Sequence, residues 1–228
     1  CSNNKRDSEN FMSKSCVSII DYGLGNLFSV TRALQTSGAS EIRIASSSED
    51  ILNAERLVIP GVGSFRDGMN GLERQGIAAA IREFASFGRP ILGICLGMQL
   101  FATKGTEFGE HAGLDLIPGR VVRIPMTDKS GATLKSPFIG WSTLELHNSL
   151  NNRDNPIACL SPQDAVYLVH SYQYAPESET NILATYRYGD HNITAAIQSG
   201  NISGLQFHPE KSGKVGLKIL SHFLETVA

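Results

Sequence analysis

PILGICLGMQLFA, residues Pro90 to Ala102, is the most apolar run in a chain of 228 residues, and its reading decides the fold. It falls short of the ~18 apolar residues of a membrane span, and it is flanked by Arg89 and Lys104 and interrupted by Gly93 and Gly97. It divides instead into a buried strand, Ile91 to Ile94, and a helix, Leu96 to Ala102, with Cys95 at the junction. A residue with glycine two before and two after it, between strand and helix, has the pattern of a nucleophile elbow, here with cysteine in place of serine. The turn is sharp, so side chains at the flanking positions would strike neighbouring backbone. The Cys95 sulfur would sit at a helix N-terminus, where free N–H groups and the helix dipole favour thiolate over thiol. There the Leu96 N–H could meet a developing oxyanion. A structural cysteine between packing glycines is the competing reading, and this stretch alone fits both.

Working outward, the first half alternates short apolar strands with periodic helices. Strands are predicted at Cys16 to Ile20, Glu41 to Ala45 and Arg56 to Ile59, with helices at Asn26 to Ser37, from Ser48, at Asp67 to Gln75 and at Ile77 to Phe87. Such alternation implies an α/β fold: a mostly parallel central sheet with helices on both faces. From Val121 onward about six β-like runs follow, among them Trp141 to Leu146, Val166 to Val169, Leu183 to Tyr188, Thr194 to Gln198 and Ile202 to Phe207. They suggest an antiparallel extension and a return to the sheet edge. Lys214 to Val227 reads as an amphipathic terminal helix presenting Gly216, Ile219, Leu220, Phe223, Leu224 and Val227. One domain, 16–228, is expected, preceded by a disordered extension over 1–15 with Met12 as an internal start.

Composition removes whole classes of function. With 20 basic and 22 acidic side chains the formal charge is −2, and no basic cluster exists to hold nucleic acid or an anionic membrane. Cysteines at 1, 16, 95 and 159 form no CxxC pair, so neither a disulfide framework nor a zinc site is expected and a cytoplasmic setting is. The glycine pairs Gly23/Gly25 and Gly61/Gly63 fail as dinucleotide fingerprints, because Phe28 and Arg66 stand where the third glycine belongs. No cofactor and no metal are predicted.

A cysteine nucleophile needs a histidine base and, commonly, a carboxylate to orient it. Of six histidines, His111, His147, His191 and His222 sit in polar loop or helical contexts that offer no partner. His208 lies in QFHPEKS, just past an apolar run and two residues before Glu210, and the intervening Pro209 stops strand and helix alike. GICLGMQLF together with QFHPEKS resembles the Cys-His-Glu triad of the class I glutamine amidotransferases. IIDYGLGNLFSV, IPGVGSF, EFGEHAGLDLIPG, Gly140-Trp141, VHSY and NISGLQFHPEKSGKVGLKIL are similar, within that family, to the glutaminase subunits of imidazole glycerol phosphate synthases.

The resemblance covers nearly the whole chain after the extension and implies a flavodoxin-like fold, L-glutamine as substrate and a (β/α)8-barrel cyclase as partner in histidine biosynthesis. It gives Cys95 the attack on the glutamine amide carbon, His208 the proton transfers and Glu210 the orientation of His208. Val62 and Gly63 of the IPGVGSF loop join Leu96 as backbone oxyanion donors. Gly61, Gln99, His170, Ser171 and Tyr172 bind substrate, and Trp141 and Lys211 face the partner. In SPFIGWST, Phe138 and Ser142 stand where the family usually has histidine and asparagine, a departure that touches docking or ammonia transfer rather than the triad. Other readings are a paralogous glutaminase serving another acceptor, such as surface-sugar amidination, a non-catalytic partner-binding subunit, or a cysteine peptidase on the same elbow.

Overall fold

The computed structural model describes residues 15–147 and 155–226. The extension predicted over 1–15, Met12 and Val227 lie outside the described residues, Ser15 excepted. Ser15 is buried, and its carbonyl accepts the Ser40 N–H at 3.1 Å.

The first half runs β1 (Cys16–Ile20), α1 (Leu27–Thr36), β2 (Glu41–Ala45), α2 (Ser48–Leu52), β3 (Leu57–Gly61), α3 (Phe65–Arg74), α4 (Ala78–Ser86), β4 (Ile91–Cys95) and α5 (Leu96–Gln99). Three helix starts follow from local chemistry: the side chains of Asn26, Ser47 and Ser64 accept N–H groups of the first turns of α1, α2 and α3. The second half adds β5 (Lys104–Gly105), β6 (His111–Ala112), β7 (Gly119–Arg123), β8 (Phe138–Thr143), β9 (Glu145–Leu146), β10 (Ala165–His170) and β11 (Tyr172–Pro176). Then come β12 (Ile182–Tyr188), β13 (His191–Ser199), β14 (Ile202–Leu205) and α6 (Gly213–Glu225).

The main sheet has eight strands in the order β2-β1-β3-β4-β14-β13-β12-β9. Its first five strands are parallel, and β13, β12 and β9 continue it antiparallel. β1, β3 and β4 are buried at every position, which explains their apolar sequence, broken only by Ser18 of β1. Val17, Ile19, Val58, Leu92 and Ile94 pack on one face with Val30 and Leu34 of α1 and Ile219, Leu220 and Phe223 of α6. Ile20, Leu57, Ile59 and Ile91 pack on the other with Ile51, Leu72, Ile81 and Phe84 of α2, α3 and α4.

Three details depart from the sequence reading. The returning strand β14 does not join an edge; it lies inside the sheet, parallel to β4 with Leu205 opposite Ile94. The second-half strands do not make one extension, because among the described residues β8 pairs with β10 alone, and β11, β7, β5 and β6 form a separate small sheet. The helix expected over Leu96 to Ala102 ends at Gln99: the Phe101 and Ala102 N–H groups tighten onto the carbonyls three residues back, of Met98 and Gln99, and the Thr103 N–H leaves for the Gly119 carbonyl.

Gly97 is the tightest joint. A Cβ there would lie 1.7 Å from the Ile59 carbonyl oxygen of β3, whereas one on Gly140 would meet only the Phe138 ring at 3.8 Å. Because backbone must move, Gly97→Ala should cost about 3 kcal/mol or more, the upper end of overpacking. Gly140→Ala should stay within about 0.5 kcal/mol. Urea titration of the two variants makes the comparison, and equal midpoints would contradict it.

Candidate active site

The strand-to-helix turn holds Cys95 at φ 54° and ψ −109°, a conformation that side-chain-bearing residues rarely adopt. The flanking glycines are sterically required: a Cβ on Gly93 would lie 2.7 Å from the Met98 nitrogen and 2.6 Å from the Phe101 ring. Cys95 is buried to 8% exposure, and its neighbours in the sheet, β3 and β14, bring their own C-terminal loops alongside it.

His208 leaves β14 through Gln206 and Phe207. Its N–H donates to the Tyr167 carbonyl at 3.0 Å, and the Ser212 hydroxyl donates to its carbonyl at 2.7 Å while accepting the Tyr167 N–H at 3.0 Å. Pro209 opens a single 3₁₀ turn, Pro209–Lys211, that returns Glu210 to the ring. Glu210 Oε1 lies 2.7 Å from His208 Nδ1, and both side chains are 3% exposed. Nδ1 is thus committed, which leaves Nε2 for the hydrogen bond between His208 and Cys95. Burial works against a charged imidazole here, but the hydrogen bonds and charges of Cys95 and Glu210 outweigh it and raise the His208 pKa from 6.5 to about 9. The ring keeps its proton at neutral pH.

A cavity of about 270 Å³ opens at Cys95 and is lined by Val62, Gly63, Leu96, Gln99, Glu107, Val169, His170, Ser171 and Tyr172. All three residues expected as oxyanion donors are on its wall, as are four of the five expected to bind substrate. Gly61 is the exception: the space a side chain would take there is filled by the Tyr22 hydroxyl, 2.2 Å from the Cβ position, and that hydroxyl donates to the Pro60 carbonyl at 2.7 Å. Trp141 and Lys211 do not line the cavity; Trp141 is 56% exposed against the Tyr167 ring, and Lys211 is exposed on the 3₁₀ turn.

Sequence reasoning passed over Tyr22, Glu107, Gln206 and Tyr186. Glu107 accepts the Phe65 N–H at 2.9 Å and so ties the start of α3, just after the Val62–Gly63 loop, to the cavity wall. Tyr186 donates to His170 Nε2 at 2.9 Å, while His170 Nδ1 donates to the Tyr172 carbonyl at 2.8 Å. Burial drives the His170 pKa down to about 4; the Tyr172 bond opposes this and the charge on His208 adds to it. The signal for Gln206 and Glu107 was present, since they lie in QFHPEKS and EFGEHAGLDLIPG, but Tyr186, on β12 of the main sheet, meets His170 of the separate β8–β10 pair only through tertiary packing. Among the described residues no group of three or more His, Cys, Asp or Glu could hold a metal ion, and no helix is long and apolar enough to cross a membrane.

Comparison with known proteins gives the family of the chain and the likeness of its fold. The chain belongs to the family described as glutamine amidotransferase class-I, whose profile matches residues 18–227. Within it, imidazole glycerol phosphate synthase subunit HisH 1 of Legionella pneumophila (strain Paris) is 46% identical over 212 residues, 92% of this chain and 99% of its own length. Subunit HisH of Geobacillus kaustophilus is 43% identical over 208 residues, 91% and 95% of the two chains. Among solved structures, PurLQS from Thermotoga maritima aligns with a TM-score of 0.66 at 21% identity, over 92% of this chain and 98% of that one. Another, described as glutamine amidotransferase, aligns at 0.66 and 19% identity over 92% and 97%. These two carry the fold alone.

The depressed His170 value has a definite sign. A histidine with an ordinary pKa of 6.5 and a folded value of about 4 stabilises the fold above pH 6.5, and this contribution is lost as pH falls towards 4. The urea midpoint should therefore fall on acidification across that window, and His170→Gln should flatten the slope while lowering the midpoint at pH 7. An unchanged slope in the variant would contradict the assignment.

Proposed function

We propose that the chain is a cytoplasmic glutaminase subunit that hydrolyses L-glutamine and hands ammonia to a (β/α)8-barrel cyclase making imidazole glycerol phosphate. The observation that carries this reading is the line Cys95–His208–Glu210, whose Cys95 end opens into the cavity, in a chain whose HisH relatives align over nearly their whole length. That alignment favours the histidine pathway over a surface-sugar acceptor or a non-catalytic subunit.

The Cys95 sulfur attacks the side-chain amide carbon of glutamine, and the carbonyl electrons move to oxygen. Oxyanion donors are the N–H groups of Leu96 and of the Val62–Gly63 loop, where one donor contributes about 10²–10³ in rate. As the carbonyl re-forms, the C–N bond breaks and His208 protonates the departing nitrogen, releasing ammonia and leaving a γ-glutamyl thioester on Cys95. Water then attacks the thioester and gives a proton to His208; the C–S bond breaks and glutamate leaves. Glu210 holds the imidazole in place through both halves. His170, Ser171 and Tyr172 offer backbone groups to the amino-acid end of glutamine, and the Glu107 carboxylate suits its ammonium. Gln99 already donates to Tyr172 and Gln206. Its carboxamide oxygen is the group left for substrate.

Cys95→Ala should abolish glutamine-dependent synthesis by the complex while ammonia-dependent synthesis continues; loss of both would make Cys95 structural. His208→Ala should lower glutaminase turnover by several orders of magnitude, and Glu210→Ala by less. On the surface, Ile139 and Trp141 are 62% and 56% exposed along β8 and offer the cyclase an apolar face. Trp141→Ala should weaken the complex at least ~30-fold, as an interface anchor does, without lowering the melting temperature of the free chain. Unchanged affinity would move the interface elsewhere.

A further inference from the structure

Gln206 is fully buried, at 0% exposure, although a carboxamide is costly to bury unless its groups are bonded. Its surroundings fix which way it faces. The Tyr172 carbonyl can only accept, so the Gln99 group 3.0 Å from it is the NH₂ end, and that same Nε2 lies 3.0 Å from Gln206 Oε1. The Gln206 amine is then left facing Cys95 Sγ at 3.8 Å, an N–H···S contact. At the far end the Tyr172 carbonyl is held by His170 Nδ1, and His170 Nε2 accepts from Tyr186. Flipping either glutamine would set two NH₂ groups or two acceptors against each other, so donation runs one way, towards the sulfur.

We propose that Gln206 is a positioning residue for the nucleophile: locked in one orientation by Gln99, it donates to Cys95 Sγ, holding the sulfur in its attacking orientation and stabilising its charged form. A hydrogen bond to an anion is stronger than one to a neutral group, so the contact tightens when the sulfur gains charge. Gln99 lines the cavity, so a ligand that moves it is felt at the sulfur through Gln206. The inference rests on the reading of Cys95 as the nucleophile.

Two variants and one measurement on the unmodified chain test it. Gln206→Glu keeps an oxygen for Gln99 but turns an acceptor towards the sulfur; Gln206→Met removes the donor at similar volume. In complex with the cyclase, kcat for glutamine should fall about a hundredfold in the first and about tenfold in the second, with KM within about threefold. In the full chain alone, the pH profile of Cys95 alkylation by iodoacetamide should move to higher pH in both, further for Glu. In the wild-type chain the Gln206 side-chain amide resonances should shift over the same pH range in which Cys95 becomes reactive, a readout independent of any variant's folding. A folded variant with unchanged kcat and alkylation profile, a change confined to KM, or a wild-type amide resonance indifferent to that range would overturn the proposal. Glutamine hydrolysis persisting in Cys95→Ala would instead defeat the nucleophile reading and leave the N–H···S contact to be judged by the alkylation and resonance data.

Discussion

The backbone of Gly97 packs directly on the Ile59 carbonyl, and the remainder of the site depends on that contact. It brings the first turn of α5 down onto the end of β3, so the chain must reverse sharply at Cys95 and the cysteine is driven to a positive φ. Strain of this kind costs ~1–3 kcal/mol and persists only where packing over-determines it. Here β4 is clamped in the middle of the sheet with Ile91, Leu92 and Ile94 at most 1% exposed. The same clamp sets the chemistry. The neighbours of β4 are β3 and β14, so the Val62–Gly63 loop arrives on one side of the sulfur and His208 on the other.

Two buried histidines near this turn are set in opposite states by what surrounds them. His208 has an acceptor on each ring nitrogen, Glu210 and Cys95, and keeps its proton to about pH 9. His170 has no carboxylate beside it, only the Tyr172 carbonyl and the Tyr186 hydroxyl, so burial prevails and its pKa falls to about 4. A neutral His170 spares the cavity a second positive charge and fixes the Tyr172 carbonyl, which in turn orients Gln99 and Gln206. The charge needed to handle a departing amine is thereby concentrated on one residue.

Much of this was legible in the sequence because the deciding constraints are local. Glycines two residues to either side of Cys95 announce a turn that no other residue fits, and Pro209 between His208 and Glu210 announces a tight return. The apolar alternation of the first half marks strands and helices within a few residues of their observed limits. What stayed hidden depends on pairing between distant segments. Nothing in Ile202–Leu205 says that it inserts between β4 and β13 rather than at an edge, since a buried edge and a buried centre are equally apolar. The length of α5 is set by the Gly119 carbonyl, which takes the Thr103 N–H, and Tyr186 of the main sheet reaches His170 of the β8–β10 pair only through tertiary packing. Phe138 shows both sides: its departure from the family's usual histidine was readable, but its packing against the rings of Tyr186, Tyr188 and His170 was not.

The central claim is that the strained turn makes Cys95, rather than any other thiol, the covalent carrier of the glutamyl group. Acid quench of the cyclase-bound enzyme during turnover of isotopically labelled glutamine, followed by peptide mass analysis, tests it directly. The account predicts one γ-glutamyl thioester per chain, on the peptide that contains Cys95. A glutamyl group on Cys16 or Cys159, or sustained turnover with no thioester, would contradict it.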